Sequence, residues 1–387
     1  MPAPRIHPMM PQSTHDETSE QGFVVALKTF LYTQMDPALR RMTLGLAEEI
    51  KAKGEKPTLQ TVRKRLEDKQ LYQNWISSTR AAQEMMWQSA VDCVDRQRGE
   101  LEALERSAPP LGTLRVDPNF QVPRYVAAGD IHMMPGGYHY DPKGDEQSIR
   151  QGAVFDKAAS LYSLGRQGGQ MNDMRGNTVI AHLYELFPDL EPKKILEMGC
   201  TVGNSLVAVK RAFPEADCTG IDLSASLLRY ARARAAHLGV PLNFVQANAE
   251  ETDFPDNSFD LVYSSAMLHE TSNKALPRIM AECFRVLRPG GVMIHLEVPF
   301  RADMADAFDL VRADYETRYN NEPFWLGATE ADYAALAKKT GFTDIHAGFN
   351  DAAMGPPTRD KVKGMFDQPN KGGYKSWYIA SARKPRS

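Results

Sequence analysis

The sequence predicts an α/β fold, a doubly wound and mostly parallel sheet of seven strands preceded by an all-helical domain. Three observations lead there. From about residue 190 short apolar runs alternate with amphipathic stretches of helical spacing. Residues 22–107 keep a helical pattern and carry no glycine turn or acidic strand end. At 387 residues the chain exceeds what one hydrophobic core usually fills, so two domains are expected.

The first 20 residues are rich in Pro, Gln, Ser, Thr, Asp and Glu and read as a disordered leader without the apolar segment of a secretory signal. Residues 21–107 form the helical domain. Its DPALRRMTLGLAEEIKAKG opens on Asp-Pro and stops at Gly54. Two roles stay open for it, covering a substrate and pairing two copies of the chain. Residues 108–189, dense in Pro, Gly and aromatic residues, form a connector with lid helices, too long to be a passive loop.

Residues 190–387 hold the sheet. KKILEM, DCTGID, LNFVQA, FDLVYSS and GVMIHLEV are successive strands, and TDIHAGF and YKSWYIASARK are the last two. Between them, SASLLRYARARAAHLG is a helix with a Ser224 cap and Gly239 past its end. LPRIMAECFRVLRPGG is a second helix, apolar at 276, 279, 280, 283, 284 and 287. A helical insertion at about 302–340 separates the fifth strand from the last pair.

Composition excludes several classes. The chain is 42% hydrophobic and 25% charged, as ordinary globular proteins are. A net charge of −3 gives no footprint for nucleic acid, and the basic tail ARKPRS reads as a solvated terminus. No apolar run nears the roughly 20 residues needed to cross a bilayer, so no membrane partner is expected. Cys93, Cys200, Cys218 and Cys283 are scattered without a C-x-x-C pair, which argues against a disulfide framework or zinc site and fits a cytoplasmic protein.

The chemistry sits in ILEMGCTVGNS, residues 195–205. A dinucleotide site needs G-x-G-x-x-G, but Gly199 and Gly203 are spaced G-x-x-x-G, with Thr201 where a middle glycine would stand. A triphosphate site would need a Gly-Lys-Ser/Thr ending, and none follows. Glu197 sits badly beside phosphates but suits a cationic amine, while the helix start beyond the turn suits a carboxylate. A ligand carrying ammonium, carboxylate and ribose answers both.

On these residues, roughly 190–300, the chain resembles the class I S-adenosylmethionine-dependent methyltransferases of the type 11 group. EMGCTVG stands where that family has E/D-x-G-x-G-x-G, QANAEETDFPDNSFDLVYSSAMLHE resembles its adenine turn and next strand, and RVLRPGGVMIHLE its following helix and strand. The resemblance implies a Rossmann-like core and S-adenosyl-L-methionine as cofactor. It implies Glu197 on the methionine amine or its water network, and Gly199, Cys200, Thr201 and Gly203 as the backbone cradle. Asp222 would take the ribose diol, Leu223 would pack on the adenine, Asn248 and Ala249 would meet its edge, and Ser264 would lie near the methionine part. Asn248 replaces the acid common at its position; its amide oxygen still accepts from an exocyclic amine, less strongly than a carboxylate would.

Methyl transfer from a sulfonium is an in-line displacement in which the protein orients and desolvates. For a general base, His269 and Glu270 stand just past the fourth strand, at the sheet's carboxyl edge. A structural histidine there is the plainer alternative. For the acceptor, Tyr138, His139 and Tyr140 of IHMMPGGYHYDP, Tyr162 ending FDKAASLY, Glu297 and Trp325 are the candidate lining, with plain packing as the alternative. No carboxylate cluster with metal spacing can be assembled, so no metal is expected. The reading is a methyltransferase acting on an O, N, S or C atom of a small molecule. Peptide or protein methylation, a nicotinamide-dependent oxidoreductase and a degenerate fold kept as a binding module are the rivals.

Overall fold

A computed structural model of the chain describes residues 7–139, 148–162, 173–372 and 375–386. Its sheet comprises β1 (Thr113–Arg115), β2 (Lys194–Met198), β3 (Asp217–Asp222), β4 (Asn243–Gln246), β5 (Phe259–Ser265), β6 (Leu287–Glu297), β7 (Thr343–Asp351) and β8 (Ser376–Arg383). They lie in the order β1-β4-β3-β2-β5-β6-β8-β7. Strands β1 to β6 run parallel, and β8 is antiparallel to both β6 and β7. The seven expected strands are there. The eighth, β1, comes from the connector and pairs Thr113 with Asn243 at the sheet edge. Three residues are too short to show a period of two, which is why sequence pattern missed it.

Alternation along the strands feeds two cores, as a doubly wound sheet requires. Ile195, Leu261 and Tyr263 face one side, against Val179, Ile180 and Leu183 of the helix Met174–Leu186 and Leu206 of the helix Asn204–Ala212. Leu196, Val262 and Met293 face the other, against Ile279, Met280 and Cys283 of the helix Leu276–Val286. The helix Ala225–His237 begins as expected, with Ser224 Oγ accepting from Leu227 N at 3.2 Å. Gly239 beyond it takes φ 70°. The helix Met174–Leu186, read as part of the lid region, instead packs into the sheet's own core.

The helices His15–Phe30 and Gln70–Arg96 pack on the helix Arg150–Tyr162, which in turn packs on the helix Ala225–His237, so that Val24, Met86 and Val94 join one apolar cluster with Ala153, Val154, Leu227 and Tyr230. The helices Asp36–Ala52 and Leu59–Leu66 share a second cluster with Phe308, Val311 and Tyr315 of the helix Ala307–Tyr319. The insertion after β6 therefore returns to complete the N-terminal helical layer.

The disordered leader expected over residues 1–20 is corrected for its described part. Met9 is fully buried, His7 Nε2 meets Asp156 Oδ2 at 2.7 Å, and the first helix starts at His15 with a capping box from Thr14 to Glu17. Composition hid this because the buried partners lie far along the chain. No helix among the described residues is long and apolar enough to cross a membrane.

Candidate active site

Strand order reverses between β2 and β5, and a crevice at the carboxyl ends of such strands is where open α/β sheets take ligands. A cavity with about 820 Å³ of empty space lies there, lined by Gly199, Thr201, Asp222, Leu223, Asn248 and Ala249 from the sheet side. Tyr125, Ile131, Tyr138, Phe155 and Met267 line the rest, with Arg175, Ser265 and Glu270.

The turn after β2 is held by its backbone. Gly199 N and Cys200 N both donate to Ile221 O at 2.9 Å, and Thr201 N donates to Asp222 Oδ2 at 2.9 Å. Gly199 has φ 70°, and a Cβ there would come 2.6 Å from Met267 Cγ, so only glycine fits. Gly203, at φ 73°, leads into the helix Asn204–Ala212 and stands off the cavity against Phe244. Cys200 is buried against Gly220, and burial pushes its thiol well up, which makes it a packing residue.

Thr201 adopts φ 46°, a left-handed conformation that is strained for a β-branched residue. Thr201→Gly is expected to raise unfolding free energy by about 1 kcal/mol, the relief of roughly 1–3 kcal/mol of strain less the entropy glycine loses. A higher melting temperature checks it; a lower one would mean that the threonine side chain contributes more than its backbone costs.

Asp222 accepts from Ser224 N at 3.1 Å as well as from Thr201 N, and burial pushes its carboxyl up to about 6. Asn248 Oδ1 accepts from Glu250 N at 3.0 Å, so the side chain shapes its turn while it lines the cavity. Glu197 lies beneath the cavity wall, 1% exposed, and burial followed by Asp173 drives its carboxyl well above the usual range. Its Oε2 and Asp173 Oδ2 find no hydrogen-bond partner among the described residues. Buried acceptors left open next to Arg175 match a ligand that carries an ammonium and a carboxylate, directly or through water. The residues therefore fit S-adenosylmethionine.

On the acceptor side the structure rearranges the expectation. Glu270 faces the cavity and accepts from Tyr138 Oη at 3.1 Å. Its Oε1 also lies 2.9 Å from His132 Nε2 and 3.5 Å from His269 Nε2. His269 Nδ1 lies 2.7 Å from Glu297 Oε2, and His132 Nδ1 lies 2.8 Å from Glu322 Oε1. Burial disfavours a charged imidazole at His269, but Glu297 and Glu270 outweigh it and hold the ring at about 10. His269 is thus no neutral-pH base; it sits behind Glu270 and away from the cavity.

Five more expected residues need correction. Ser264 is fully buried, its Oγ 2.7 Å from His295 Nδ1, and the neighbouring Ser265 lines the cavity instead. The strand's alternation decides between the two. Glu297 is a structural acceptor, taking Met267 N at 3.0 Å and Leu268 N at 2.7 Å besides His269. Trp325 lies edge-on to His269 at 5.1 Å, and Tyr162 lies edge-on to His132 at 5.7 Å, both behind the wall. His139 is half-buried beside Gly137 and stands off the cavity. Tyr140 lies outside the described residues.

Sequence reasoning missed His132, Glu322 and Arg175. A signal existed for the first only in retrospect. His132 and Met133 both take φ 57°, and two successive left-handed non-glycine residues mark a segment held by its contacts.

A family model described as a methyltransferase domain matches residues 195–291. The C-methyltransferase of ubiquinone/menaquinone biosynthesis from Bordetella avium is 30% identical over 227 residues, 56% of this chain and 81% of its own length. The fatty-acid O-methyltransferase of Mycolicibacterium smegmatis is 36% identical over 121 residues, 30% of this chain and 42% of its own. A demethylmenaquinone methyltransferase of Thermus thermophilus is 31% identical over 144 residues, 37% of this chain and 63% of its own. The chain thus spans less than two thirds of the last two relatives.

Proposed function

Because the chain belongs to the class I S-adenosylmethionine-dependent methyltransferases, we propose that it transfers the cofactor's methyl group to an O, N, S or C nucleophile of a small molecule, by in-line displacement. The observation that carries this is the cavity at the strand switch point. On one wall it presents the glycine turn and Asp222, and on the other it ends at Glu270 and Tyr138. Cofactor and acceptor would share one space. The bound cofactor supplies an electrophilic methyl group, and the chain's own residues orient it and exclude water. A small acceptor is supported by the aromatic lining from Tyr125, Tyr138 and Phe155, which suits the concave, mostly apolar cavities that take small molecules.

Calorimetric titration with S-adenosylmethionine and S-adenosylhomocysteine, with NAD as the control, tests the reading. The expected result is micromolar binding of the first two, roughly 8 kcal/mol, and none of NAD. Binding of NAD alone would overturn it.

A further inference from the structure

We propose that His132, His269 and Glu270 form a binding site for a divalent first-row transition cation at the acceptor end of the cavity. One nitrogen of each imidazole and a carboxylate oxygen of Glu270 lie within 4.8 Å of one another. Two histidines and one carboxylate are a donor set that suits such ions and leaves coordination positions free.

A bare triad would be weak grounds; the surroundings make it a built site. Each imidazole gives its second nitrogen to a buried carboxylate, His269 to Glu297 at 2.7 Å and His132 to Glu322 at 2.8 Å. That is the outer arrangement by which proteins fix the tautomer and aim of a metal-bound histidine. Both outer carboxylates are themselves anchored, Glu297 by two backbone N–H groups and Glu322 by Asn320 Nδ2 at 2.6 Å. Aromatic edges fix the ring planes, Trp325 on His269 and Tyr138 and Tyr162 on His132. A ligating imidazole must be neutral, so the cation would take the place of the ring protons and binding would release them to solvent.

Glu270 opens onto the cavity, so the free positions would face the acceptor. This last step rests on the methyl-transfer reading. A hydroxyl-bearing acceptor would place its oxygen on the cation and lose its proton to water. That oxygen's electron pair then forms the new C–O bond as the sulfonium C–S bond breaks, leaving a methyl ether and a neutral thioether. Such a site favours oxygen acceptors over carbon ones.

Chelator-treated full-length protein is titrated with zinc chloride by calorimetry and with cobalt chloride by visible absorption. One equivalent per chain is expected. Glu270→Gln and His132→Ala should each weaken binding at least tenfold, and Glu322→Gln, which only aims His132, by about tenfold. Melting curves confirm that each variant folds, and Glu270→Gln, which keeps the side chain's shape, decides if His132→Ala does not. No stoichiometric uptake, or uptake unchanged in Glu270→Gln, overturns the site. Uptake that leaves methyl transfer unaffected overturns only the acceptor-holding role.

Discussion

Asp222→Ala is expected to lower affinity for S-adenosylmethionine about a hundredfold. The carboxylate stands at the carboxyl end of β3 and lines the cavity. It takes backbone hydrogen bonds from Thr201 and Ser224 and keeps lone pairs for a diol. Two hydroxyl hydrogen bonds to a charged acceptor are worth about 3 kcal/mol, which is about two decades of affinity. The variant also frees Thr201 N and Ser224 N, so the turn loosens in the same direction. Calorimetry with S-adenosylhomocysteine as well as the cofactor makes the measurement. A loss below threefold would mean that the ribose lies elsewhere.

The same residue sets a pH dependence. Burial holds its carboxyl at about 6, above the ordinary 3.8, so the folded protein binds this proton more tightly than the unfolded chain does. Between these values stability falls as pH rises, and the ionised group that accepts from hydroxyls is complete only above about 6. Affinity for the cofactor should therefore be flat near pH 7.5 and fall towards pH 5 by up to tenfold per unit. Asp173 is also raised to about 6 nearby, so Asp222→Asn is the control: its affinity should vary less with pH than that of the parent.

What could be read in the sequence follows the range of the interactions. The strands β2 and β3 are the runs KILEM and DCTGID, whose apolar content is local and whose acids, Glu197 and Asp222, and glycine, Gly199, stand at or just past the strand end. The cofactor side of the cavity is written into such stretches, and Gly199, Thr201, Asp222, Leu223, Asn248 and Ala249 all line it. The acceptor side is assembled from His132, Glu270 and Glu322, three segments that share no motif. Only the fold brings them to a common point. Ser264 went astray by one residue because a strand's last positions decide which side chain clears the edge. The leader was misread for a related reason: His7 and Met9 stand in a short Pro-rich stretch with no periodicity of its own, and their partners Asp156 and Tyr230 are 149 and 221 residues away.

Those contacts give the second large effect. Asp156→Ala should lower unfolding free energy by about 3–5 kcal/mol, since Asp156 is fully buried and gathers His7 Nε2 at 2.7 Å, Tyr230 Oη at 2.9 Å and Arg234 Nε at 3.6 Å. Burial works to raise its carboxyl, but His7 and then Arg234 prevail and hold it at about 2. A depressed carboxyl contributes stability above the ordinary 3.8 that is lost as pH falls through about 2, and the variant lacks this contribution. Without Asp156 the guanidinium of Arg234, 2% exposed, is left buried with no other carboxylate within ion-pair distance among the described residues, which costs more than the ion pair itself is worth. The N-terminal segment should loosen at the same time, because Tyr230 Oη also bonds Met9 O at 2.9 Å. Urea unfolding measures the loss, and a cycle with His7→Ala separates the part that runs through the N-terminus, for which coupling of about 0.5–3 kcal/mol is expected. A cost under 1 kcal/mol would show that water takes over the role of the carboxylate and that the helical layer holds to the sheet through its apolar contacts alone.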